Sequence, residues 1–419
     1  MQFNLFVIIY LYFFSYFCAL KQYNIKQFLM NTSSKTTLSS DYTKPHYELL
    51  DGLRGVAAIL VICYHIFEGF AFAKGGAIDT LNHGYLAVDF FFILSGFVIS
   101  YAYDDRWKSN LTICNFFKRR LIRLHPMVIM GAIIGAISFC IGGSQQWDGT
   151  HIGISATMLA LLCAMFLIPA VPGHSSYEVR GNGEMFPLNG PTWSLFFEYI
   201  GNILYALFIR RLSTKSLSLL VVLLGILHIW FTCSNISQYG NIGVGWTLDS
   251  VNFWGGLLRM LLPFTIGMLI ARNFKPFKIR GAFWICAIIL LILFSIPYLK
   301  EYNGIHINGI FESICIIVIF PTLIWIGASG TITDNKSSMI CHFLGEISYP
   351  AYIVHYPIMY LFYQWLIKNK LYTLTDTWQI ATIVVIVSIA IAYACLKLYD
   401  IPLRQHLFKK FISKYGNNK

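Results

Sequence analysis

An all-α polytopic membrane protein is the fold class that the amino-acid sequence predicts. Three observations carry it: 57% of the 419 residues are hydrophobic, only 12% are charged, and the apolar residues gather in long runs. Soluble domains average about 25% charged residues, and the mean hydropathy here is +0.62. The runs suit helices crossing a hydrocarbon core of roughly 30 Å, which takes about 20 residues each. Alternating segments of roughly ten residues, the mark of a membrane barrel, are missing from the sequence.

The net charge of +12 does not mark a nucleic-acid partner. Lys and Arg collect in short stretches between the apolar runs, where they set orientation in the bilayer. Cys63, Cys140, Cys163, Cys286, Cys315 and Cys395 lie inside apolar runs, and no CxxC pair occurs. They read as small packing residues, with no metal or redox site.

Residues 1–20 form an aromatic-rich apolar run, followed by a polar stretch over 21–46. A signal segment would need a basic flank and a small-residue cleavage site, and both are weak here. The favoured reading is an N-terminal extension over 1–46, with Met30 as the expected initiator. Eleven apolar runs follow, near 54–73, 84–103, 124–142, 154–171, 193–211, 216–234, 250–271, 282–299, 309–329, 344–367 and 378–399. The segments 104–123, 210–215, 272–280 and 397–419 hold 6, 3, 4 and 6 Lys+Arg, which places all four in the cytoplasm. Segments on one side are separated by an even number of crossings, yet three runs lie between 123 and 210. One of them, 154–171 or its neighbour, is therefore expected to be re-entrant or interfacial. About ten transmembrane helices result, with both termini cytoplasmic and a basic tail over 401–419. Irregular backbone at membrane depth is tolerated only against protein or a water-filled cavity, so the odd segment points to a cavity.

Ionisable residues inside spans are functional candidates. Arg54 and His65 in RGVAAILVICYH are eleven residues apart; at 100° per residue they return to within about 20° of one direction while rising roughly 16 Å. Both therefore share one helix face, Arg54 at its mouth and His65 near mid-membrane. Taken alone, His65 reads more readily as packing than as chemistry. Asp89 in the second span serves equally as an interhelical hydrogen bond or a catalytic group, and Ser95-Gly96 suits close helix packing. Arg120 and Arg123 share a face; from spacing alone they set topology, and the sharper reading is a phosphate clamp. Glu198, with Asn202 one turn below, is either a general acid/base that orients a histidine or a structural acid paired with Arg259. Tyr349 and His355 sit together in a late span.

These residues fall in motifs that resemble the acyltransferase-3 family of membrane O-acyltransferases. The arginine, ten residues, then histidine pattern falls on Arg54 and His65. DFFFILSGF starts at Asp89, and Arg-x-x-Arg falls on Arg120 and Arg123. Trp-Ser-Leu-x-x-Glu falls on Trp193, Ser194, Leu195 and Glu198, and Ser-Tyr-x-x-Tyr-x-x-His on Ser348, Tyr349, Tyr352 and His355. The resemblance covers roughly 47–400. It implies O-acetyl or related acyl transfer from cytoplasmic acyl-CoA to a hydroxyl of a carbohydrate or glycolipid acceptor in the cell envelope, across a bacterial cytoplasmic (inner) membrane. His65, Glu198 and Asp89 are then the expected catalytic residues, and Arg54, Arg120 and Arg123 the donor-binding set. Trp193, Ser194, Arg259, Tyr349 and His355 are expected on the substrate, and no metal is expected. His65 takes the general-base role, with Glu198 orienting it. The fused hydrolase-like domain of some members has no counterpart in this sequence, so an acceptor is expected to be acylated by the bundle or through a partner enzyme. A secondary transporter or an acyl carrier is the competing class; inverted repeats, the mark of many transporters, are not evident.

Overall fold

The computed structural model describes residues 46–76, 81–109, 111–332 and 334–412. Residues 1–45 of the expected N-terminal extension over 1–46, with the Met30 start, and the tail beyond 412 lie outside the described residues. The described chain is a helical bundle. Helices α1 (Glu48–Ala73), α2 (Ala87–Tyr103) and α3 (Ile113–Ile141) come first along the chain. The short α4 (Ile154–Met165) and an irregular stretch over 166–191 lead to α5 (Thr192–Leu207), α6 (Thr214–Cys233) and α7 (Ser250–Asn273). The second half holds α8 (Ala282–Ser295), α9 (Ile307–Ile314), α10 (Phe320–Ser329), α11 (Asn335–Asn369), α12 (Leu374–Cys395) and α13 (Ile401–Phe411). A two-residue parallel pair joins β1 (Ile279–Arg280) to β2 (Gly330–Thr331).

Eight helical segments among the described residues are long and apolar enough to cross a membrane, so the chain is a multi-pass membrane protein. Helix α4 has 12 residues and spans about 18 Å, short of the hydrocarbon thickness. It falls in the stretch where the charge parity asks for a segment that does not cross. The expected 344–367 run is the middle of the 35-residue α11, which holds Pro350 and Pro357. A proline inside a helix leaves the carbonyl four residues back without its donor, and for Pro357 that is the Ile353 carbonyl, to which Asn189 donates at 2.9 Å.

Two close helix crossings place the site. Helix α1 lies along α11 through Gly52 and Gly55, and a Cβ at Gly55 would sit 2.3 Å from the Leu344 carbonyl oxygen. Helix α2 crosses α7 where a Cβ at Gly96 would meet the Phe264 carbonyl oxygen at 1.9 Å. That is the close packing the Ser95-Gly96 pair suggested. Gly96→Ala gains helix propensity of about 1 kcal/mol, but the atom it strikes is backbone and cannot turn aside. Overpacking, at about 1–3 kcal/mol, is expected to win, with a lowered thermal midpoint of the detergent-purified protein. An unchanged or raised midpoint would mean that the two helices slide apart freely.

Across the same crossing lies a buried ion pair. Arg259 of α7 donates from Nη2 and Nε to Asp89 of α2, the shortest contact 2.8 Å. Asp89 is 0% and Arg259 2% exposed. The guanidinium also donates to the carbonyls of Tyr85 (3.0 Å) and Val244 (3.4 Å), and it lies 5.1 Å from the centre of the Trp193 ring. It thereby ties the 3₁₀ turn before α2 and the loop before α7 to the bundle. A second buried knot caps the same loop. Glu312 of α9 accepts from the Tyr85 hydroxyl (2.6 Å), the Ile242 amide (2.9 Å) and Asn308 (3.1 Å).

Candidate active site

Helices α1, α2, α3, α5 and α11 surround a cavity of about 910 Å³ that opens at the basic end of the bundle. Of the expected residues, Arg54, Arg120, Arg123, Ser194, Glu198 and Tyr349 all line it. Each arrives there for a local reason. Arg54 is held on the α1 face that meets α11: its Nε donates to the Ser348 hydroxyl at 2.8 Å, and Nη2 meets Asp51 at 3.0 Å. Tyr349 anchors α11 to α3 by donating to the Leu124 carbonyl at 2.6 Å. Ser194 and Tyr352 share a hydroxyl–hydroxyl bond of 2.7 Å.

The cavity's charges sort by partner. Arg120 is 6% exposed and donates to Glu198 at 2.7 Å, with Ser95 donating to the same oxygen at 3.0 Å. Arg404 pairs with Asp400 at 2.7 Å. Asp400 closes a π-helical turn over Leu396–Asp400, a wide turn of a kind frequent at functional sites. Arg123 lines the same space and makes no ion pair with a described residue. Next to it lies a second pocket of about 600 Å³, which shares Arg123 and Arg404 and adds Arg119 and Lys409 against the lone acid Glu346. The Nε atoms of Arg119 and Arg404 have no hydrogen-bond partner.

His65 stands apart from this cavity, one layer deeper. It is 9% exposed. Its Nδ1 lies 2.7 Å from Glu68 Oε2, its ring stacks on His355 at 5.1 Å, and Tyr356 meets it edge-on at 4.7 Å. Tyr356 (3.0 Å) and Tyr363 (2.9 Å) both donate to the same Glu68 oxygen. Tyr352, which lines the cavity, has its ring 6.0 Å from His355 and so stands between the cavity and the His65–His355 stack. The shared face of Arg54 and His65 is the α1 surface against α11.

The structure pairs several of these residues differently from the expectation. Glu198 does not orient His65, because α5 delivers it to Arg120 and Ser95; the carboxylate at the imidazole is Glu68, three residues on along α1. Nor does Glu198 pair with Arg259, whose fork is filled by Asp89. Asp89 in turn is closed off from the cavity, with both oxygens engaged by Arg259, and Trp193, expected on the substrate, lies over that guanidinium and does not line the cavity. Sequence reasoning missed Glu68, although its i+3 position after His65 was the available signal.

The comparisons with known proteins follow the same outline. Residues 47–397 match the acyltransferase domain family. The Protein 2 in picA locus of Rhizobium radiobacter is 33% identical over 174 residues, 40% of this chain and 84% of that one. The peptidoglycan O-acetyltransferase OatA of Listeria monocytogenes is 26% identical over 335 residues, 76% of this chain and 50% of its own length. The acyltransferase MdmB of Streptomyces mycarofaciens is 25% identical over 333 residues, 74% and 78% of the two chains. The chain thus spans half the length of the OatA relative. No solved structure matches it. With the family match running from the first turn of α1 to the π-helical turn after α12, the chain belongs to the acyltransferase-3 family and is a membrane acyltransferase.

Proposed function

We propose that the protein is an O-acetyltransferase that moves an acyl group from acyl-CoA, docked at the basic and cytoplasmic end, to a sugar hydroxyl presented from the opposite side. The observation that supports it most is an arginine-lined cavity at one end of the α1–α11 seam, with the His65–Glu68 pair deeper along the same seam. A phosphate-rich donor suits the outer pocket, where Arg119, Arg123 and Lys409 stand beside the Asp400-paired Arg404 and Glu346 is the one lining acid. Arginine's planar fork suits phosphate. The donor's slender arm suits the inner cavity, whose Arg120 and Arg404 are already neutralised. A bacterial cytoplasmic membrane and an envelope polysaccharide acceptor agree with the O-acetyltransferase name of one relative.

In this reading His65 is the general base. The carboxylate at Nδ1 holds the imidazole in one tautomer and leaves Nε2 for the acceptor hydroxyl. Nε2 takes the hydroxyl proton as the oxygen attacks the thioester carbonyl; the carbon–sulfur bond breaks, and the departing thiolate takes that proton to leave as a thiol. Transfer through an acyl-histidine is the variant, read by ping-pong kinetics. Glu68 is a positioning residue, and Arg120 with Glu198 shapes the donor channel. Asp89, Arg259 and Trp193 hold the scaffold.

Arg123→Ala is expected to raise the KM for acyl-CoA by about 10–100-fold, the worth of one or two charge-assisted hydrogen bonds, with kcat nearly kept. Steady-state thiol release over a range of acyl-CoA concentrations measures it. An unchanged KM would remove Arg123 from the donor site and leave it a topology determinant.

A further inference from the structure

Beyond the catalytic pair, a set of unsatisfied polar atoms and aromatic faces lies under the loops that close the end of the bundle away from the cavity. Arg180 is 1% exposed. Its Nε donates to the Pro187 carbonyl at 3.0 Å, yet its Nη2 has no partner. The guanidinium lies 3.7 Å from the centre of the Tyr360 ring and 5.4 Å from that of Trp147. Trp147 Nε1 and Asn182 Oδ1 are likewise buried without a partner. Asn182 donates to Glu184 at 3.0 Å, and Glu184 accepts from the Tyr360 hydroxyl.

This cluster is continuous with His65. Along α1 the residues His65, Glu68 and Phe72 follow at i, i+3 and i+7, one face of a helix. Phe72 meets Trp147 edge-on at 4.7 Å and stacks on Tyr363 at 5.9 Å. Glu68 keeps 30% of its side-chain surface open, although His65, Tyr356 and Tyr363 ring its carboxylate. Trp147 and Asn182 are half-buried. Leaving several donors and acceptors unmade costs about 1–3 kcal/mol each, so these atoms have something to gain from a ligand rich in hydroxyls. Aromatic faces beside amide, carboxylate and guanidinium groups supply both halves of sugar recognition, apolar C–H faces and hydroxyl edges.

We propose that Trp147, Arg180, Asn182 and Glu184 form the acceptor subsite, and that it takes a neutral sugar rather than an acidic one. The proposal rests on the acyl-transfer reading above and names the acceptor class for it. The charge balance decides the class. Arg180 is the one cation of the cluster, facing Glu184 beside it and Glu68 deeper in, so no positive excess awaits a uronate or a phosphorylated sugar. Burial pushes the Glu184 carboxyl up to about 7, although the Tyr360 hydroxyl and Arg180 both favour its charged form.

The test uses the full chain in lipid nanodiscs with two probes, methyl β-D-glucopyranoside and its glucuronate analogue, in saturation-transfer NMR. Transfer to the neutral glycoside is expected in the wild type and in His65→Ala. It is expected to fall several-fold in both Asn182→Ala and Trp147→Phe, the latter keeping an aromatic face while losing the indole N–H and the five-membered ring. Absent transfer, stronger transfer to the glucuronate, or equal transfer in both variants with unchanged thermal midpoints would each overturn the proposal. Thiol release from acyl-CoA in the same preparation is scored separately. Sugar contact without thiol release would sink the transferase reading and leave the subsite standing.

Discussion

His65→Ala is expected to lower acyl transfer by about 10²–10⁴-fold, the range for loss of a positioned general base, while the protein stays in the membrane and folded. The expectation has a graded companion. Glu68→Gln keeps the size of the side chain and removes the charge that fixes the imidazole. Loss of such an orienting partner costs about 10–100-fold, and it should fall on kcat with the KM for acyl-CoA unchanged. The cavity proposed for the donor is lined by other residues, so a rise in that KM would point to a structural role for Glu68. Retention of full activity in His65→Ala would end the general-base assignment outright. Thiol release, with membrane fractionation as the control, reads both variants.

The second large effect concerns the scaffold. Asp89→Ala leaves the Arg259 guanidinium buried at 2% exposure without its counter-charge. Breaking a buried pair from one side costs about 3–5 kcal/mol, a large part of the stability of an ordinary domain. The thermal midpoint in detergent should fall sharply, with the loop over 234–249 becoming more open to protease. Replacing both partners by apolar residues of similar volume, Asp89→Leu with Arg259→Met, should recover part of the loss, since no lone charge remains. If Asp89→Ala instead kept its midpoint and lost only turnover, Asp89 would return to the catalytic set.

Much of this was legible in the sequence, and for physical reasons. Apolar runs fix helices in a bilayer because no other backbone arrangement satisfies itself there, so the helices fall near the expected runs. The eleven-residue spacing of Arg54 and His65 fixes a shared face by geometry alone, and both residues do meet α11. Arg54, Arg120 and Arg123 line one cavity, and Glu198 joins them there beside Arg120 instead of meeting His65. What failed was pairing between helices. Glu198 and Asp89 are single carboxylates on separate spans, and nothing in their spacing says which arginine each will meet. Glu68 was one turn from the histidine and went unread, since an acid three residues on is also ordinary helix-surface patterning. Arg180 and Glu184 lie in an irregular stretch with no period to read, where only the folded loop shows that they are buried.

The central claim is that donor and acceptor enter from opposite ends of one seam. It is tested most directly in sealed, inside-out vesicles carrying the full chain. Radiolabelled acetyl-CoA is added outside and methyl β-D-glucopyranoside is enclosed in the lumen. The account predicts labelled sugar ester inside the vesicles and free thiol outside, both lost in His65→Ala. Ester found only when the sugar is outside with the acetyl-CoA, or thiol release that persists in His65→Ala, would contradict it.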